Sequence, residues 1–258
     1  MENRNNLWRL FFAIGLLSIA LQQVICRDFR PLFLPPGFPA WLSSRFIWDC
    51  IFSVFLAIAC ICIIFSIKAR SVSLILAAVL LLIVILFQLP GQQYPAHLGT
   101  WTNAFKELAY SGGAFLVAGS LPRQGITSGL ISFLEKLIPV GKYFFAITMA
   151  VFGYMHFLYP DFVAPLIPNW IPGHMFWTYF AGVALMAGGI GIIVNIKRTL
   201  AANLLGIIIF IWLIVLHIPR GIADPHSGDG NELTSIFEAL SFSGIAFLIA
   251  NEKTKKDF

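Results

Sequence analysis

Apolar runs long enough to cross a membrane alternate with short polar or proline-rich connections along the whole chain. A helix needs about 20 mostly apolar residues to cross a hydrocarbon core of roughly 30 Å. Eight segments meet that pattern: 7–26, 46–67, 71–90, 103–121, 142–159, 174–196, 199–219 and 232–251. The fourth and eighth open on polar residues, Asn103, Lys106 and Glu107 in one case, Asn231, Glu232 and Glu238 in the other. The expected fold is an all-α membrane protein of eight transmembrane helices.

Composition agrees. The chain is 59% hydrophobic and 11% charged, with a mean hydropathy of +0.84, which excludes an ordinary soluble domain. Arg4 and Arg9 ahead of the first apolar run resemble a secretion signal, but Ile25 is too large for a cleavage site, so this segment is expected to stay as a helix. Counting basic residues on alternate sides puts twelve on the side of the termini, including Lys253, Lys255 and Lys256, and five on the other. The positive-inside rule then makes both termini cytoplasmic. The net charge of +5 reads as a topology signal, with no nucleic-acid partner implied.

The chain also repeats itself. Phe11-Phe12-Ala13-Ile14 and Asp28-Phe29 recur 133 residues later as Phe144-Phe145-Ala146-Ile147 and Asp161-Phe162. At a shift of 129, Trp48, Lys68 and Leu89-Pro90 meet Trp177, Lys197 and Ile218-Pro219. At 132, Thr102, Phe105, Ser111 and Gly112 meet Thr234, Phe237, Ser243 and Gly244. Four helices are an even number, so the two halves are expected to be parallel four-helix repeats. They occupy 1–124 and 142–258; the linker 125–141, with Ile126, Leu130, Leu134 and Leu137 at helical spacing, reads as a short interfacial helix. Gln23 stands where His156 does, and Gln88 where His217 does, which makes the second half the better candidate for a site.

In this topology all five histidines lie near the outer surface. His156 and His217 sit a few residues inside their helix ends and Glu238 about two turns into the eighth span, where polar groups are costly in hydrocarbon and must face the bundle interior. They are expected to converge below the outer interface. One reading has the imidazoles bind a ligand's head or relay protons; the other has each bond a backbone carbonyl at a helix end. No H-x-x-x-H or C-x-x-C spacing favours a metal, and DPHSGDGNE (Asp224–Glu232) lacks the order of a calcium loop. That stretch reads as a polar turn with Asn231 or Asp229 capping the last helix. Cys26 and Cys50 lie at the outer ends of the first two helices and form a candidate disulfide. Ser111-Gly112-Gly113 and Gly188-Gly189-Ile190-Gly191 lie inside apolar helices and read as packing surfaces. The prolines of HFLYPDFVAPLIPNWIPGH (His156–His174) forbid a continuous helix. With Trp170, Pro172, His174 and Trp177 this connection is either an interfacial anchor or a lid over a pocket.

His156, the Pro160–Pro172 connection, Trp177 with Gly182, Gly188 and Gly189, Lys197-Arg198 before Ala201-Ala202, and His217-Ile218-Pro219 together resemble the DoxX-like family of four-helix membrane proteins, over residues 141–251. Relatives include a subunit associated with thiosulfate:quinone oxidoreduction and proteins that mature periplasmic redox enzymes. The resemblance implies a bacterial inner-membrane, redox-associated subunit binding a quinone or similar lipid, with no tightly held cofactor. His156 and His217 would orient its head, helped by Glu238 and Asp161; no catalytic residue carries over. A scaffold or assembly factor holding an outer-surface protein partner is the alternative. A transporter is disfavoured because no charged or broken helix marks a path at the bilayer centre.

Overall fold

The structure, a computed structural model, describes residues 2–123, 125 and 129–252. Ile126, Lys253, Lys255 and Lys256 lie outside the described residues, and so does the side chain of Asp229. The described chain is all-helical: α1 (Glu2–Cys26), α2 (Arg45–Ile64), α3 (Ala69–Ile83), α4 (Thr102–Gly119), α5 (Gly129–Glu135), α6 (Gly141–Leu158), α7 (Pro160–Val163), α8 (His174–Ile193), α9 (Arg198–Trp212), α10 (Ile218–Ala223) and α11 (Ser227–Ala250). Among the described residues, seven helical stretches are long and apolar enough to cross a membrane: Arg4–Cys26, Arg45–Ile64, Ala69–Gln88, Gly129–Leu158, His174–Ile193, Arg198–Ala223 and Gly230–Ala250. The chain is therefore a multi-pass membrane protein.

The expected eighth span, α4, has the length but is too polar to match the other seven. The reason lies in its surroundings. Twelve of its eighteen residues are buried, among them Glu107, Tyr110 and Ser111, so protein rather than lipid covers it. It packs against α3, α6 and α11, while α11 packs against α1, α9, α10 and α4. These two helices form the centre, and Phe12, Tyr110, Phe145 and Phe242 close the core between them.

Small residues set the helix spacing. A Cβ on Gly141 would stand 2.6 Å from the Gly112 carbonyl oxygen, and one on Gly153 would stand 2.6 Å from that of Gly182. The α4–α6 and α6–α8 backbones thus touch, which in an apolar medium gains van der Waals contact unavailable to larger side chains. Hydroxyls join other pairs: Ser111 donates to the Ala77 carbonyl at 2.8 Å, and Ser243 to that of Gly206 at 3.0 Å.

Charged groups tie the end that carries the termini. Arg9 donates to the Ser120 carbonyl at 3.0 Å, and Asn251 to Asn5 at 3.0 Å. Arg70 binds both oxygens of Glu135 at 2.6 and 2.9 Å while reaching the Ala118 and Leu121 carbonyls at the end of α4. Arg198 likewise meets the Glu252 carbonyl beyond α11. The linker does contain a short helix, α5, whose Glu135 pairs with Arg70.

Two helices do not end as regular α-helix. Residues Val84–Gln88 and Leu213–His217 form π-helical turns directly after α3 and α9. Each precedes a proline by two residues, Pro90 and Pro219. A proline ring clashes with the carbonyl four residues back, and the wider i→i−5 bonding relieves that conflict.

Two local expectations need correction. The last helix starts at Ser227 after His226, so neither Asn231 nor Asp229 is its cap; the Asn231 carbonyl instead accepts from Ser235. Gly230 stands near the start of this helix at φ +78°, a left-handed conformation open to glycine. Cys26 and Cys50 are separate thiols, Cys26 at the exposed end of α1 and Cys50 in the second turn of α2.

Candidate functional site

Five helices, α4, α6, α8, α9 and α11, pack in a closed ring. The ring encloses a cavity of about 990 Å³ at the end away from the termini. Its lower wall is apolar: Phe152, Leu185, Ile208, Ile209, Trp212 and Phe242. Trp177 and Trp212 meet edge to face at 6.2 Å on that wall.

Polar groups gather in the same cavity. His156 projects from the last turn of α6, and its Nδ1 bonds the Phe152 carbonyl at 2.7 Å. A carbonyl can only accept, so Nδ1 carries the hydrogen and the neutral ring keeps Nε2 as a free acceptor. His217 is the final residue of the second π turn. Its Nδ1 is buried and has no hydrogen-bond partner among the described residues. Glu238, on α11, pairs through Oε2 with Lys106 Nζ of α4 at 2.7 Å, and its buried Oε1 has no partner among the described residues. Arg220 holds both Glu232 oxygens at 2.9 and 2.5 Å, with a longer contact of 3.4 Å to the Leu166 carbonyl. Two cations are thus matched by two carboxylates, and the imidazoles stand beside a locally neutral set.

The structure brings together His156, His217, Glu238 and Trp177, which all line this cavity. It does not bring Asp161, Trp170, Pro172 or His174 to it. Asp161 is exposed in the first turn of α7, Trp170 is 71% exposed, and the His174 carbonyl accepts from Thr178. The cover over the cavity is instead α7 with the 3₁₀ turn Ala164–Leu166, through Phe162, Val163 and Leu166.

Sequence reasoning missed the share of the wall that precedes the second half. Lys106, Asn103 and His97 line the cavity too, and His97 stacks on Tyr159 at 5.1 Å. A signal existed in the sequence: Lys106 and Glu238 are 132 residues apart, the shift at which Thr102, Phe105, Ser111 and Gly112 meet Thr234, Phe237, Ser243 and Gly244. Arg220 and Glu232 were visible only as loop charges.

In the first half, Gln23 and Gln88 are bound to the loop that follows α1. Leu32, Phe33 and Leu34 are buried there. Gln88 Nε2 donates to the Pro31 and Leu32 carbonyls at 3.0 and 2.7 Å. Gln23 accepts from the Arg30 amide at 3.0 Å and donates to Ser53 at 2.9 Å.

Residues 145–223 match a family described as a domain of unknown function, DUF8561. The matched stretch runs from α6 through α10 and contains His156, Trp177 and His217, but neither Lys106 nor Glu238. No curated protein and no solved structure matches the chain.

Proposed function

We propose that this chain is a DoxX-like protein of the bacterial inner membrane, built from two parallel four-helix repeats with both termini cytoplasmic. Its role is to bind a quinone or lipid-like amphiphile near the outer surface, as a redox-associated subunit. One observation carries the ligand reading. His156 and His217 converge with Glu238 on a cavity that also has an apolar wall of Phe152, Leu185, Ile208, Ile209, Trp212 and Phe242. Buried polar atoms without partners are costly, and His217 Nδ1 and Glu238 Oε1 are two such atoms at one cavity. An amphiphile supplies what both regions lack, a polar head for those atoms and an apolar body for Trp177, Trp212 and Phe242.

The repeat is supported by matching contacts. The π turns ending at Gln88 and His217 are 129 residues apart, as are the left-handed pairs Ser66 with Lys68 and Asn195 with Lys197. Ile67 donates to Cys62 at 2.8 Å and Ile196 to Gly191 at 3.0 Å, again at that shift. Gly112 lies against Phe144 as Gly244 lies against Phe11, and a Cβ added to either glycine would meet that of its phenylalanine at 2.9 and 2.8 Å respectively. Lys106 and Glu238 then join the central helices of the two units.

Within the site, His156 Nε2 accepts from a head-group donor and His217 contacts a head-group oxygen. The test is organic extraction and mass spectrometry of gently purified protein beside the His156→Ala, His217→Ala double variant. A quinone or one defined lipid retained by the parent and lost from the variant is the expected result. Bulk phospholipid alone in both would sink the ligand reading and favour a scaffold for an outer-surface protein.

A further inference from the structure

The first half's plug reports what the second half's cavity is shaped to hold. Gln23 and Gln88 stand where His156 and His217 stand, and both are buried and engaged with the loop. Gln88 donates to two carbonyl oxygens of that loop, while Gln23 accepts from its Arg30 amide. Below those polar contacts the loop's apolar side chains Leu32 and Phe33 are buried. The plug therefore acts as a tethered amphiphile: acceptor oxygens toward one glutamine, a donor N–H toward the other, and an apolar body in the core.

Granting that the cavity binds an amphiphile, as proposed above, we infer that it selects a head pairing an acceptor oxygen with an O–H or N–H donor over a head with acceptors alone. Three atoms on the cavity side carry the same pattern. His156 Nε2 is an acceptor because Nδ1 is committed to the Phe152 carbonyl. Glu238 Oε1 is a second acceptor with no donor among the described residues. His217 takes the position of Gln88, the donor to carbonyl oxygens, and its Nδ1 is unpartnered among the described residues. A head with acceptors alone leaves His156 and Glu238 facing lone pairs. A quinol and a lipid with a secondary amide both satisfy the pattern; an oxidised quinone does not.

Two matched pairs of decyl-tailed probes separate these sources. The full chain in nanodiscs is titrated calorimetrically, without oxygen, with a quinol and its oxidised quinone, and then with a secondary amide and its N-methyl derivative. Losing one well-made hydrogen bond is worth up to about tenfold in affinity. The donor-bearing member of at least one pair should bind about tenfold tighter, and the pair that shows it identifies the quinol or the amide as the source. His156→Gln should keep that preference, because Gln23 makes the equivalent bond, and His156→Phe should abolish it. Equal or tighter binding of the acceptor-only member in both pairs overturns the inference while leaving the cavity a ligand site. An undiminished preference in His156→Phe overturns the assignment to His156. No saturable binding by any of the four probes overturns the ligand reading itself.

Discussion

Lys106 and Glu238 show how a single pair constrains this protein. Their side chains are 13% and 7% exposed and 2.7 Å apart, so neither charge is satisfied by bulk water. Removing one partner from such a pair leaves a buried charge alone and costs about 3–5 kcal/mol, whereas removing both is far milder. Lys106→Met is therefore expected to lower thermal stability in detergent sharply, and Lys106→Met with Glu238→Gln to recover most of the loss. Additive losses in that cycle would show that the pair is not coupled. Gln88 plays a different part, holding the loop that follows α1. Gln88→Leu removes two hydrogen bonds to the plug and should cost about 1–3 kcal/mol, read as a lowered melting temperature in detergent. An unchanged melting temperature in that variant would show that these bonds do not hold the plug.

At the scale of elements, backbone contact between helices decides where the cavity walls stand. Gly153 faces the Gly182 carbonyl and the Met186 amide across the α6–α8 interface, with a Cβ at 2.5 to 2.6 Å from those atoms. No side chain fits there without moving a helix, so Gly153→Val should destabilise by more than the roughly 1–3 kcal/mol usual for overpacking. It should also displace His156 on α6 from Trp177 and Thr178 on α8. Loss of retained ligand together with a lowered melting temperature is the expected pair of readouts; a folded variant with parental retention would contradict it. The helical segments themselves were legible in the sequence, most within a few residues, because hydropathy acts locally. Length alone made α4 resemble the others, yet Asn103, Lys106 and Glu107 already marked it as the helix that protein must cover. The start of α11 was not legible. Asn231 and Asp229 are good capping residues, yet the helix begins before them at Ser227.

For the whole molecule, part of the site could be read and part could not. Two histidines inside helix ends and Glu238 midway along α11 had few places to go except inward, and the structure places them at one cavity. Asp161, Trp170, Pro172 and His174 share a connection with the cavity's cover but not its lining, because sequence neighbourhood says nothing about which side of a turn faces in. Lys106 and His97 were hidden by dividing the chain into halves, since the ring that encloses the cavity borrows α4. The proposed orientation is a whole-molecule property too. Cysteine variants at Trp170 and at Lys136 should label from opposite faces of intact membranes, Trp170 from outside; labelling of both from one face would contradict the topology.

The most direct measurement of the central claim is photo-cross-linking in native membranes with a decyl-tailed amphiphile carrying a diazirine in its chain, followed by peptide mapping. Adducts are expected on Phe152, Trp177 and Trp212, suppressed by excess unlabelled amphiphile and by His156→Ala with His217→Ala. Adducts confined to the outward surface of α8, at exposed residues such as Phe176 and Phe180, with none on the cavity wall, would contradict it.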